Sequence, residues 1–140
     1  MSKVAVIYWS GTGNTEAMAK AVLKGARGAG AGAELLTPAE VNADAVGACT
    51  GVALGCPAMG SETLEEDEFE PMFQSVKAAL KGKKVALFGS YGWGGGEWME
   101  TWERDCRAAG ISLVCDSVIA NEAPDDEAIA ACEALGRAVS

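Results

Sequence analysis

The chain has 140 residues, 49% hydrophobic and 22% charged, the composition of one folded domain and not of a disordered segment. Twenty acids stand against eleven bases for a formal charge of −9, which excludes nucleic acid and anionic membranes as natural partners and favours basic proteins. Histidine is absent and the five cysteines (49, 56, 106, 115 and 132) form no Cys-x-x-Cys pair, so they read as reduced, mostly buried thiols, not as a disulfide frame or a zinc site.

No basic segment followed by an apolar run opens the chain, and no apolar stretch nears the roughly 20 residues of a membrane span. A cytoplasmic protein is expected. In chain order, residues 4–8 predict a first strand and 14–29 an Ala-rich helix capped by Asn14 or Thr15. Residues 34–37 predict a short second strand, 51–56 (GVALGC) a third and 84–90 (KVALFGS) a fourth. A helix comes next over 96–109, with Trp98, Met99, Trp102 and Cys106 at helical spacing. Residues 113–119 predict the fifth strand, and 125–139 a last helix opened by Pro124 and two aspartates.

These strands are continuous apolar runs, as expected when both faces are covered. Alternation with helices predicts a doubly wound parallel sheet in a single domain spanning 1–140, with no linker or repeat. Ligands of such sheets sit beyond the carboxyl ends of the strands. Three polar, glycine-bearing loops fall there: SGTGNT, PAMGSE and YGWGGG.

In the first loop Ser10, Thr12, Asn14 and Thr15 supply side-chain donors, while Gly11 and Gly13 let backbone N–H groups turn inward. The helix after the loop adds its unsatisfied N–H groups and the positive end of its dipole. No Lys or Arg occurs between Val4 and Ala19, so an anion would be held by neutral dipoles alone. The lysine of a nucleoside triphosphatase loop is missing, and G-T-G-N-T-E lacks the third glycine of a dinucleotide fingerprint. A single phosphomonoester suits the loop.

The other two loops suggest what the phosphate is attached to. Trp93 lies among small residues after a buried strand, either covering the end of the sheet or stacking on a planar ligand. Tyr91 faces either that ligand or the protein body. Met59 is either a gap-filling core residue or the other wall of an aromatic slot.

Together the three loops resemble those of flavodoxins. The likeness continues through EEDEFEPMF, GEWMETW and NEAPDD over essentially the whole chain, and is nearest to the short-chain subgroup of anaerobic bacteria, because the fifth strand lacks the long insertion. The resemblance implies a three-layer α/β sandwich, a five-stranded parallel sheet of order 2-1-3-4-5 with helices on both faces. It implies non-covalent flavin mononucleotide (FMN), contacted by Ser10, Gly11, Thr12, Gly13, Asn14 and Thr15; by Pro57, Ala58, Met59, Gly60, Ser61 and Glu62; by Ser90, Tyr91, Gly92, Trp93 and Gly94; and by Asn121. Trp93 would stack on the outer face of the ring, Met59 on the inner face. Glu62 would accept from the ring N3–H, N–H groups near Gly92 would meet the pyrimidine side, and Asn121 would lie beside the ribityl chain or ring edge. Pro57 stands where some relatives carry a serine that adds a hydroxyl to the phosphate, so that contact is missing.

The resemblance further implies a low-potential one-electron carrier, cycling mainly between semiquinone and hydroquinone, without a substrate of its own and usually monomeric. In the family the peptide at Gly60–Ser61 flips on reduction, and its hydrogen bond to the neutral semiquinone is worth about 1 kcal/mol. Residues 62–70 hold six acids and no base. One like charge about 10 Å from the flavin, at an effective dielectric of about 20, opposes the second electron by roughly 1.7 kcal/mol, about 70 mV. The same run also reads as a solvated face that steers redox partners with basic docking surfaces. The alternative is an FMN-dependent NAD(P)H quinone or nitro reductase, but no second nucleotide fingerprint and no Arg in the three loops supports it. A metal-binding receiver module would want acids where Trp9 and Ser10 stand. Cys56, beside the second loop, has no histidine to activate it and reads as a buried thiol.

Overall fold

The computed structural model describes residues 2–59, 63–92 and 94–140. Strand β1 (Lys3–Tyr8) leads into helix α1 (Asn14–Gly28), then β2 (Gly32–Leu36), a 3-10 turn (Pro38–Glu40) and the short α2 (Ala43–Gly47). After β3 (Gly51–Gly55) come α3 (Phe69–Val76), which tightens into a 3-10 turn at Lys77–Leu80, and β4 (Lys84–Tyr91). Helix α4 (Glu97–Ala108), strand β5 (Val118–Asn121) and helix α5 (Asp126–Ala138) complete the chain.

The strands form one parallel sheet of order β2-β1-β3-β4-β5, as expected from the resemblance. Alternation along each strand divides the core into two layers. Ala5 and Ile7 face Phe69, Phe73, Trp98 and Trp102, beneath α3 and α4. Val4 and Val6 face Met18, Val22, Leu135 and Val139, beneath α1 and α5. Both faces of β1, β3 and β4 are therefore buried, which is why their sequences run apolar without a gap. Helices α1 and α5 meet backbone to backbone. A Cβ at Gly25 would collide with the Glu133 carbonyl, and one at Gly136 with that of Val22, so only glycine permits this approach.

Three details differ from the sequence expectation. The fifth strand does not run through 113–119: Leu113 makes one isolated parallel bridge with Val85, and the ladder resumes only at Val118. Between them the Ser117 hydroxyl donates to Glu103 of α4 at 2.7 Å, which ties the chain to the helix instead of to β4. The first helix is not capped by Asn14 or Thr15; its N-cap is Gly13 at φ 93°, with no cap from that residue's own side chain. Helices α2 and α3 have no counterpart among the expected elements. Asn42 caps α2 through Oδ1, which accepts from Ala45 N–H at 2.8 Å.

Candidate functional site

The parallel register brings the ends of β1, β3 and β4 side by side, and the three glycine-bearing loops leave from there. Trp9 carries the ladder one step past β1 by donating to the Gly55 carbonyl at 3.0 Å. The chain then turns through Gly13, in the left-handed conformation that favours glycine. Inside the turn, Ser10 Oγ accepts from the Gly13 N–H at 3.1 Å and the Glu16 N–H at 3.3 Å. Thr12 Oγ1 lies 3.5 Å from the Asn14 N–H.

Among the described residues, the N–H groups of Gly11, Thr12 and Thr15 have no hydrogen-bond partner. They lie at the start of a 15-residue helix, whose dipole adds positive potential. Gly11, Thr12 and Gly13 are exposed and Asn14 is half-buried. No cation belongs to the loop: Lys20, on the second turn of α1, is 3.8 Å from Glu16. This donor set suits one phosphate group, solvated by dipoles.

Beneath the loop, Thr15 and Ser90 are 1% and 4% exposed, with their hydroxyl oxygens 3.1 Å apart. Thr15 Oγ1 also accepts from the Ser90 N–H at 3.4 Å. The pair joins the phosphate loop to the end of β4. Ser90 in turn accepts, through its carbonyl, the Ala58 N–H of the second loop at 3.0 Å. That loop closes where the Met59 N–H meets the Thr63 carbonyl at 2.9 Å. Pro57, Ala58 and Met59 are all half-buried. Gly60, Ser61 and Glu62, expected at the flavin ring, lie outside the described residues, as does Trp93.

In the third loop Gly92 and Gly94 are exposed. Tyr91 resolves toward the protein body: its ring packs on Trp98 at 5.5 Å between centroids and a 47° tilt. The Tyr91 carbonyl accepts from Glu122 N–H at 2.7 Å and from Asn121 Nδ2 at 3.4 Å, so Asn121 pins the end of β5 to that of β4. Glu122, at φ 58°, is the one non-glycine residue among those described with a left-handed backbone.

Several residues around the site escape a reading of the sequence. Tyr8, at the end of β1, points its hydroxyl at Glu16 across 3.5 Å, and burial, then the Glu16 carboxylate, push that hydroxyl up. Glu65, one member of an acidic run expected at the surface, is only 5% exposed. Burial alone would raise its carboxyl, but hydrogen bonds from the N–H groups of Phe69, Asp67 and Glu68 outweigh it and hold it below the usual value. Glu66, Asp67 and Glu68 are exposed as expected. Cys56 is fully buried and its thiol is pushed up to about 12, chiefly by desolvation, which leaves no thiolate for nucleophilic chemistry. A groove of about 690 Å³ between β5 and α5 shares only Asn121 with these loops, and its charged lining residues are all acids.

A family model described as Flavodoxin matches residues 6–136. The chain is 46% identical to a flavodoxin of Megasphaera elsdenii over 137 residues, 98% of each chain, and 42% identical to one of Clostridium beijerinckii over 135 residues, 96% of this chain and 97% of that one. The solution structure of two-electron reduced Megasphaera elsdenii flavodoxin superimposes with a TM-score of 0.89, covering 97% of both chains. A flavodoxin from the domain Archaea, 27% identical, superimposes with a TM-score of 0.84 and covers 98% of this chain and 95% of that one. With the strand order, the cation-free loop of N–H donors and near full-length similarity in agreement, this chain belongs to the flavodoxin family of FMN-binding electron carriers.

Proposed function

We propose that this chain is a single-domain, low-potential carrier that holds FMN at the ends of β1, β3 and β4 and passes single electrons between redox enzymes. The observation that carries the reading is the set of unpartnered N–H groups of Gly11, Thr12 and Thr15 at the start of α1, in a loop without a cation. Ser10, Thr12, Asn14 and Thr15 hold the phosphate. Pro57, Ala58 and Met59 with Gly60, Ser61 and Glu62, then Ser90, Tyr91, Gly92, Trp93 and Gly94, and Asn121, would surround the ring and ribityl chain, Tyr91 through its main chain because its ring packs on Trp98. Bound FMN supplies the group that accepts and releases the electron. The protein supplies position and a field that disfavours added negative charge.

That field comes from the charge layout. Lys3 and Lys84 open β1 and β4, Lys24 and Arg27 close α1, and Arg107 and Arg137 close α4 and α5. In a parallel α/β sandwich these positions share the end opposite the three loops. The loop end keeps Glu66, Asp67, Glu68, Glu97, Glu122 and Asp125, all six exposed. Such an asymmetry turns the loop end toward basic surfaces during encounter, and fits a monomeric cytoplasmic carrier of redox partners. No helix among the described residues is long and apolar enough to cross a membrane.

The reductase alternative is not favoured, because the relatives at 42–46% identity over nearly the full chain are flavodoxins. The test is titration of flavin-free protein with FMN and with riboflavin, which lacks the phosphate. Selective, tight FMN binding without NADH–quinone reductase activity supports the reading; equal affinity for both flavins, or robust NADH oxidation, overturns it.

A further inference from the structure

By sequence, the acids at 62–70 read as a set of interchangeable charges, solvated or bearing on the flavin potential. Glu65 differs from its neighbours. One carboxylate oxygen accepts from the N–H groups of Glu68 and Phe69, the other from that of Asp67, all at 2.8 Å. Its own N–H donates to Cys56 Sγ at 3.4 Å, and its carbonyl accepts from the Glu70 N–H at 2.9 Å. Every polar group of this residue is engaged at 5% exposure.

The partners lie on both sides of the second loop. Cys56, the last residue before it, is fully buried and its carbonyl accepts from Trp98 Nε1 at 3.2 Å. Thr63, two residues before Glu65, receives the Met59 N–H that closes the loop. Phe69 opens α3 and is fully buried in the core. One carboxylate therefore ties the loop exit to the start of α3, while the backbone of the same residue ties it to the loop entry. Three N–H dipoles at the start of a helix also compensate its charge locally.

We infer that Glu65 is a positioning residue for the Met59 side of the flavin site and not one of the charges that repel the anionic cofactor. The inference rests on the FMN reading for its functional consequence, but the anchoring itself does not. The two roles predict opposite signs. Removing a charge that repels an anionic cofactor tightens FMN binding. Removing an anchor loosens it.

The experiment compares Glu65→Gln and Glu65→Asp with Glu66→Gln, an exposed neighbour with the same charge change. FMN dissociation constants are measured by fluorescence titration, and amide hydrogen exchange is measured on the purified chain with and without added FMN. Glu65→Gln places an amide N–H₂ against the Asp67 N–H, and Glu65→Asp keeps the charge but shortens the arm. Both should weaken FMN about tenfold or more and speed exchange at Met59 and Phe69 even without flavin. Glu66→Gln should leave both readouts within about twofold. Tighter FMN binding in Glu65→Gln with unchanged exchange, or an unaffected Glu65→Asp, overturns the inference. Faster exchange in a chain whose wild type binds no FMN would sink the flavin reading and leave the anchor standing.

Discussion

Replacing Ser10 by alanine tests how the phosphate is held. The Ser10 hydroxyl oxygen accepts two N–H groups, from Gly13 at 3.1 Å and Glu16 at 3.3 Å, so its loss disorganises the turn and adds two unpaired donors. A neutral hydrogen bond is worth about 1 kcal/mol net, and water replaces part of each bond here because the loop is open to solvent. The expected loss is about 1–2 kcal/mol, a rise of roughly 5- to 30-fold in the FMN dissociation constant. Titration of flavin-free Ser10→Ala with FMN and riboflavin measures it. Riboflavin has no phosphate, so its affinity should be nearly unchanged. A change below about twofold for FMN, or equal weakening of both flavins, would refute the idea that the loop is built around the phosphate.

Salt, acid and glycine replacement probe other parts of the molecule. Raising salt from about 10 mM to about 1 M shrinks the Debye length from about 30 to about 3 Å. In a cradle of dipoles on an acidic protein this should leave FMN affinity unchanged or improve it, whereas a Lys- or Arg-built site would lose affinity; stopped-flow and equilibrium titrations separate the two. Glu65 has a carboxyl lowered from 4.5 in the fold, so its stabilisation is fully present above that value and disappears as pH falls through the lower folded value. The stability gap between wild type and Glu65→Gln should therefore be widest near neutrality and close in acid, as read by denaturant melts across pH. Gly136→Ala drives a Cβ into the Val22 carbonyl and should cost about 1–3 kcal/mol or more, while Gly28→Ala, with open space around it, should be neutral or mildly stabilising; thermal melts check both.

The fold is legible in the sequence where apolar pattern alone decides it. β1, β3 and β4 are buried on both faces, and α1, α4 and α5 carry long apolar stripes, so runs and spacing locate them. Helix α3 is not, because its first residues sit in an acidic stretch with Pro71 and its start is capped from Glu65, outside the helix. The fifth strand is misplaced for a similar reason: Val114 does meet β4, its N–H donating to the Val85 carbonyl at 2.9 Å, but the pairing breaks before Val118, where Ser117 bonds to Glu103 of α4.

At the site, residue types announce the chemistry but not the direction of each hydrogen bond. Ser10, Thr12 and Thr15 all read as donors to phosphate. The fold turns the Ser10 oxygen toward the loop's own N–H groups and pairs Thr15 with Ser90, 75 residues away. No local pattern reveals such a partner. Tyr91 stays open between ligand and body for the same reason, since its ring meets Trp98 on the next helix.

Whether this chain moves single electrons on FMN is decided by an anaerobic reductive titration of the FMN-loaded protein, read by visible absorption. A long-wavelength band of one-electron-reduced flavin should rise to a maximum near the midpoint and then bleach. Direct passage from oxidised to fully reduced flavin, with no such band, would contradict the single-electron role.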